Sequence, residues 1–117
     1  KSDYYQAEVL NYFTRKSNLV QKTFPELLGA VQAIKSDYYQ TEVLSKLLRN
    51  GALSKKEYLQ LIQFTPEIKS DYYQAEVLKK IASQMPEDEE LKAAYHQAAE
   101  EINSSHYYGE TLKKLRK

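Results

Sequence analysis

Apolar side chains recur at intervals of three and four residues along most of this chain, which is the spacing of an amphipathic helix. The pattern is clearest at Tyr39, Val43 and Leu47, with Leu44 and Leu48 beside them. The strict alternation of apolar and polar residues that is typical of strands is absent. The pattern therefore predicts an all-α protein.

A ten-residue segment returns at a spacing of 34 residues. It reads KSDYYQAEVL at 1–10, KSDYYQTEVL at 35–44 and KSDYYQAEVL at 69–78, and a degraded copy, NSSHYYGETL, follows at 103–112. Two amphipathic helices cannot bury their apolar faces alone, so such repeats stack on one another. We expect a single domain, 1–117, built as an α-solenoid of about seven helices, with a closed helical bundle as the competing all-α arrangement. Its repeats are 1–34, 35–68 and 69–102, followed by a terminal half-repeat, 103–117.

The first helix of each repeat, helix A, is predicted to begin at Tyr4, Tyr38 and Tyr72. An Asp precedes each start, and a Gln follows that Asp by three residues, which is a variant of the capping box. The pairs are Asp3 with Gln6, Asp37 with Gln40 and Asp71 with Gln74. The predicted ends lie near Lys16, Asn50 and Gln84.

The second helix of each repeat, helix B, has start signals at Ser54, with Glu57 three residues on, and at Thr23 in the first repeat. Pro66 is expected to shorten or bend the last turn of the second helix B. Each helix B has one apolar stripe that is expected to face inward. The aligned positions are Leu27, Leu28, Val31 and Ile34, then Leu61, Ile62, Thr65 and Ile68, then Tyr95, His96, Ala99 and Ile102.

The 34-residue period with two helices resembles tetratricopeptide repeats and short HEAT-type repeats. The Trp, Leu-Gly and Tyr pattern of tetratricopeptide helix A is absent. The string Ser-Asp-Tyr-Tyr-x-x-Glu-Val-Leu, at 2–10, 36–44 and 70–78, resembles repeats of bacterial proteins, including parts that follow membrane metallopeptidase sensor domains. The resemblance implies a bacterial binding or sensing module. The peptidase motif His-Glu-x-x-His does not occur, so no catalytic residue is carried over.

One tyrosine of each Tyr-Tyr pair is predicted to face the core and the other to reach the surface. At 100° per residue, Tyr5, Tyr39 and Tyr73 fall on the apolar side of helix A, and the preceding tyrosines fall with a glutamate on another side. The candidate partner-binding residues are Tyr4, Glu8, Tyr38, Glu42, Tyr72 and Glu76. Rigid, amphipathic tyrosine beside a carboxylate is suited to recognition. The alternative is that both tyrosines pack repeats together while the glutamate forms a local ion pair.

Metal and catalytic sites are not expected. His96 and Glu100 are four residues apart, as helical metal ligands can be, but the alignment favours a partly buried His96 in a core position. His106 stands where the motif places a tyrosine. The chain has no Cys, and its two His have no triad partners, so we expect no enzyme, no cofactor and no metal.

Composition excludes charge as the means of recognition. Lys and Arg total 17 against 16 for Asp and Glu, and a glutamate in every repeat opposes phosphate, so no nucleic acid is expected. No apolar run is long enough to span a bilayer, and no secretory signal assigns a compartment. The basic run 113–117 suits the C-terminal end of a helix, and the acidic run 87–90 suits the start of helix B.

These features predict a non-enzymatic interaction or scaffold module that binds a peptide or helix along helix A. The alternative is a spacer or self-stacking array, natural or designed, with no ligand of its own. The first repeat has apolar Tyr5, Val9 and Phe13 with no preceding helix to cover them, so we expect self-association or further upstream repeats. A first residue of Lys suggests a processed or excised chain.

Overall fold

The computed structural model describes residues 2–14, 17–50 and 53–115. These residues form seven α-helices and one short 3-10 helix, and no strand occurs among them. The α-helices are α1 (Ser2–Thr14), α2 (Ser17–Ala33), α3 (Asp37–Asn50), α4 (Lys55–Phe64), α5 (Asp71–Gln84), α6 (Glu89–Ala99) and α7 (Ser105–Leu115). The predicted all-α class and the count of seven helices are confirmed.

The chain divides into two compact units, Lys1–Leu53 and Ser54–Lys117. The first contains α1, α2 and α3, and the second contains α4 to α7. The division falls between the two helices of the second repeat, so it does not follow the repeat boundaries. Stacking of all repeats into one solenoid domain stays a prediction.

Serine, not aspartate, caps helix A, which corrects the predicted start. The Tyr39 amide donates to Ser36 Oγ at 3.2 Å, and the Tyr73 amide donates to Ser70 Oγ at the same distance. Helices α3 and α5 consequently begin at Asp37 and Asp71, one residue earlier than predicted. Each Asp thus lies in the first turn, where negative charge is favourable at the helix N-terminus.

The motif glutamine does not reach back to its own helix start, as a capping box requires. Gln40 is buried, and its Nε2 donates to the Val31 and Ile34 carbonyl oxygens at 3.1 and 2.8 Å. Gln74 Nε2 donates in the same way to the Ile68 carbonyl oxygen. The glutamine therefore binds carbonyl groups at the end of the preceding helix B, where the last carbonyls lack helical partners. The Val31 carbonyl oxygen also accepts from the Ile34 amide at 3.0 Å.

Helix B starts as predicted at Ser54 but not at Thr23. The Glu57 amide donates to Ser54 Oγ at 3.1 Å and the Ser54 amide donates to Glu57 Oε1 at 2.9 Å, which completes the capping box. In the first repeat, α2 already begins at Ser17, and Pro25 lies inside it. Thr23 is therefore within the helix.

Pro66 has the predicted effect on the second helix B. Helix α4 ends at Phe64, and Thr65–Glu67 continues as a 3-10 helix with the proline at its start. Proline lacks the amide that would continue the α-helical hydrogen bonds. Thr65 is buried, and its Oγ1 donates to the Ile62 carbonyl oxygen at 2.8 Å.

The predicted apolar stripe of helix B is buried at every aligned position except His96. His96 is exposed, so its expected core position is wrong. The buried residues of α6 follow the helical spacing of three and four, and His96 lies outside that stripe. They are Leu91, Ala94, Tyr95, Ala98 and Ala99. Burial in helix A also follows the pattern, with Val43, Leu44 and Leu47 all inaccessible.

Two predictions fall on residues about which the structure does not inform. Lys16 lies outside the described residues, and α1 ends at Thr14. The side chains of Tyr5, Val9 and Phe13 are also outside the described part, so self-association through the first repeat stays a prediction. No helix within the described ranges has both the length and the apolar character needed to cross a membrane.

The serine cap and the buried face of α5 can be compared by mutation. Ser70→Ala should lower the free energy of unfolding by about 1 kcal/mol, because one helix-start amide loses its acceptor. Val77→Ala should cost about 2 to 3 kcal/mol, because Val77 is fully buried and its loss leaves a cavity. Chemical denaturation measures both. A larger loss for Ser70→Ala would contradict the assigned core.

Candidate functional site

The first tyrosine of each Tyr-Tyr pair is exposed. Tyr4, Tyr38 and Tyr72 have 46%, 50% and 45% of their surface accessible, and they are the large apolar side chains that reach solvent among the described residues. The second tyrosines, Tyr39 and Tyr73, are half-buried rather than in the core. The structure thus places the three candidate tyrosines at the surface.

Each exposed ring is supported by a second tyrosine. In the first unit, Tyr39 lies edge-to-face against Tyr38 at 5.1 Å and against Tyr4 at 5.8 Å between ring centroids. In the second unit, Tyr72 lies edge-to-face against Tyr73 at 5.0 Å. It also contacts Tyr107 of the next helix A at 5.6 Å.

The contact between neighbouring helices A is the same in both units. Tyr4 with Tyr39 and Tyr72 with Tyr107 are each separated by 35 residues, one repeat plus one position. Interplanar angles of 73° and 68° give the T-shaped geometry that aromatic pairs prefer. The second tyrosine of one repeat therefore holds the exposed tyrosine of the repeat before it.

A hydrogen bond between a backbone amide and a side-chain carboxylate joins the same two helices in the second unit. The Ser104 amide, at the start of α7, donates to Asp71 Oδ2 at 2.9 Å. Asp71 thus binds the cap residue of the next helix A instead of capping its own helix. Farther along, Lys79 contacts Glu110. Contacts at both ends with similar residue offsets show that α5 and α7 run side by side in the same direction.

A lysine bridges the repeated glutamates of the second unit. Lys79 Nζ lies 3.3 Å from Glu76 Oε2 and 3.1 Å from Glu110 Oε1. Glu110 Oε2 also lies 3.3 Å from His106 Nε2. The local ion pair that was the alternative reading of the glutamates is therefore present in this unit.

These contacts shift the ionisation of both partners. The hydrogen bond from Lys79 lowers the pKa of the Glu110 carboxyl, and the positive charge of Lys79 acts in the same direction. Burial acts to lower the pKa of Lys79, but its hydrogen bonds to Glu110 and Glu76 outweigh burial and raise that pKa. Both groups are held in their charged forms at neutral pH.

The corresponding glutamates of the first unit are arranged differently. Glu8 is exposed and Glu42 is partly exposed. Among the residues that the structure describes, neither forms an ion pair. We call Tyr4, Glu8, Tyr38 and Glu42 the first-unit tyrosine surface. The second-unit tyrosine surface is Tyr72, Glu76, His106 and Glu110.

The pair His96 and Glu100 lies outside the two tyrosine surfaces. In the described ranges no three metal-binding side chains come together, and both His96 and Glu100 are exposed.

The Asp88 carboxylate caps α6, where it accepts from the Leu91 amide at 3.0 Å and pairs with Lys55. The Leu91 amide, followed by Lys55, lowers the pKa of Asp88. This confirms that the acidic run has a structural role at the start of helix B.

Sequence reasoning missed the contacts between repeats. The bonds of Gln40, Gln74 and Asp71 were read as local caps because their spacing within the motif fits one. Lys79 gave a signal that could have been used. It lies three residues after Glu76, and the counterpart of Glu76 in the next repeat is Glu110. Burial of Tyr95 was predicted, but the hydrogen bond from its hydroxyl to the Thr111 carbonyl oxygen at 2.8 Å had no such signal.

Comparison with known proteins identifies no relative. No protein-family model matches this sequence, no curated protein matches it significantly, and no solved structure matches its fold.

The two tyrosines of α3 should differ in their effect on stability. Tyr39→Ala removes two ring contacts and should lower the free energy of unfolding by about 2 to 3 kcal/mol, whereas Tyr38→Ala should cost about 1 kcal/mol. Denaturant titrations of both variants measure the difference. Equal losses would show that the exposed tyrosine is chiefly a packing residue.

The lysine bridge predicts a pH effect that can be measured by NMR. The Glu110 carboxyl should titrate below the usual range, and Lys79→Met should raise its pKa. A carboxyl whose folded pKa is lowered stabilises the fold above its unfolded pKa, and this stabilisation is lost as pH falls through the folded pKa. The stability difference between wild type and Lys79→Met should therefore disappear in acid. Asp88 is the control, and an unchanged Glu110 pKa would contradict the bridge.

Proposed function

We propose that this chain is a non-enzymatic protein-interaction module that binds a peptide or a helix through the exposed tyrosines of helix A. The helical repeat would be of the tetratricopeptide or HEAT type in architecture. The observation that carries the proposal is the exposure of Tyr4, Tyr38 and Tyr72 at one repeated position. Isolated surface tyrosines are ordinary, but here the same position of the repeated string is exposed in each unit.

The supporting rings make these tyrosines suitable binding residues. A side chain that is already held in one position loses little conformational entropy when a partner binds. Tyr39 and Tyr107 provide that support by edge contacts, which leave about half of each tyrosine surface exposed. Tyrosine combines apolar area with a hydroxyl that can form hydrogen bonds, and for that reason it is enriched in interfaces.

A structural spacer is the second candidate, and the same ring contacts favour it. Contacts that recur between helices A are what nearest-neighbour stacking requires. The two functions differ in whether the exposed part of each tyrosine ring binds a partner. A spacer has no ligand to lose, and its exposed tyrosines contribute to stability alone.

Peptide selection on the immobilised chain tests the proposal without a known partner. A random peptide library should yield sequences that bind, and Tyr38→Ala should weaken their binding by about 2 kcal/mol, roughly 30-fold. His96→Ala is the matched control, because His96 is an exposed ring on helix B. Isothermal calorimetry on the purified variants measures both affinities.

Two results would count against an interaction module. One is that no selected peptide binds the folded chain specifically. The other is that Tyr38→Ala binds the selected peptides as tightly as the wild type does. If Tyr38→Ala is also as destabilising as Tyr39→Ala, the motif is a packing pattern and the spacer is favoured.

A further inference from the structure

The second unit shows how a pair of repeated glutamates holds a cation. Lys79 lies within 3.3 Å of both Glu76 and Glu110, which belong to consecutive repeats. Its side chain is about one quarter exposed. Glu76 follows the exposed Tyr72 by four residues on α5, so the two side chains share a helix face. The protein therefore contains, within itself, an ammonium group bound between two motif glutamates.

The first unit has the same glutamates without the same lysine. Glu8 and Glu42 stand two repeats before Glu76 and Glu110 in the sequence. The residue two repeats before Lys79 is Asn11, which is uncharged and buried. Among the described residues no Lys, Arg or His pairs with Glu8 or Glu42. Glu8 follows the exposed Tyr4 by four residues and Glu42 follows Tyr38 by four, so each carboxylate shares a helix face with an exposed ring.

We propose that the first-unit tyrosine surface binds a lysine or arginine side chain of a protein partner. The cation would lie between Glu8 and Glu42, as Lys79 lies between Glu76 and Glu110. This inference rests on the proposed function and specifies its partner as basic. Complementary charge supports it, because two carboxylates attract a cation and repel an acidic peptide. Exposed tyrosine rings add to the attraction, since a cation is favoured over a ring face.

The affinity of one such side chain is expected to be weak. Exposed ion pairs contribute little individually and are screened by salt. A single lysine should therefore bind with a dissociation constant on the order of millimolar, and a natural partner would add contacts to the tyrosines. Weak binding of this kind is measurable by NMR.

The test uses the full chain and three blocked pentapeptides that differ only in the central residue. Each has four alanines around a central lysine, glutamine or glutamate, and is titrated to about 10 mM while the tyrosine ring signals are recorded. The lysine peptide should shift the signals of Tyr4 and Tyr38. The glutamine peptide should bind at least about fivefold more weakly, and added salt should reduce the lysine effect.

Variants locate the cation. Glu42→Gln should weaken binding of the lysine peptide about fivefold, and Glu8→Gln should do the same from the other helix. Glu100→Gln, at an exposed carboxylate directly after α6, is the control and should change nothing. Lys79→Met removes the ammonium group between Glu76 and Glu110, although His106 stays beside Glu110. The lysine peptide should then also shift the Tyr72 ring signals. Circular dichroism confirms that each variant is folded.

The outcomes separate this inference from the proposed function. If selected peptides bind at Tyr38 but lysine and glutamine pentapeptides behave alike, the interaction module stands and the basic partner is wrong. Tighter binding of the glutamate peptide, or unchanged binding by folded Glu42→Gln and Glu8→Gln, overturns the inference as well. If neither selected peptides nor the lysine peptide bind, both proposals fail.

Discussion

The packing of one helix A against the next is the constraint on which each described unit depends. In the first unit α1 lies against α3, and in the second α5 lies against α7, each time through a tyrosine pair separated by 35 residues. The pair fixes the register of the two helices, because edge-to-face contact requires the rings at one relative height. Once that register is set, residues at equivalent positions of successive helices come side by side. The tyrosine surfaces, the glutamate pairs and the Asp71 contact all follow from it.

The same motif residues explain how a repeat connects to the one before it. Gln40 binds carbonyl groups at the end of α2, and Gln74 does so at the end of the 3-10 helix after α4. The Val31 carbonyl also accepts from the Ile34 amide, so the glutamines matter most for the Ile34 and Ile68 carbonyls. A buried polar group that is left unpaired costs about 1 to 3 kcal/mol. The repeated ten-residue string therefore contributes to two consecutive helices. Its serine caps its own helix, and its glutamine satisfies the previous one.

Much of the fold could be predicted from the sequence because the signals concerned are local. The period of 34 residues, the apolar stripes, the capping box at Ser54 and the end of α4 before Pro66 depend on residues within one helix or turn. The errors arose where the spacing of a residue fitted a local role that the structure does not show. Asp71 fits a cap by spacing, yet its acceptor oxygen binds the Ser104 amide 33 residues away. Thr23 fits a helix start, but the helix had already begun at Ser17.

For the candidate site, the sequence predicted which tyrosines reach the surface, but it could not predict what they do there. The spacing of 100° per residue assigned Tyr38 and Tyr39 to different sides of helix A, and in the structure half of the Tyr38 surface is exposed. The sequence could not show that Tyr39 supports two rings, because that depends on the axial register between α1 and α3. The two glutamate pairs could have been distinguished, because the residue three positions after the first glutamate is asparagine at 11 and lysine at 79. That residue lies outside the repeated string, and the lysine bridges its pair of glutamates. The repeated residues thus set where the glutamates lie, and the variable residue beside them determines whether the chain supplies its own cation.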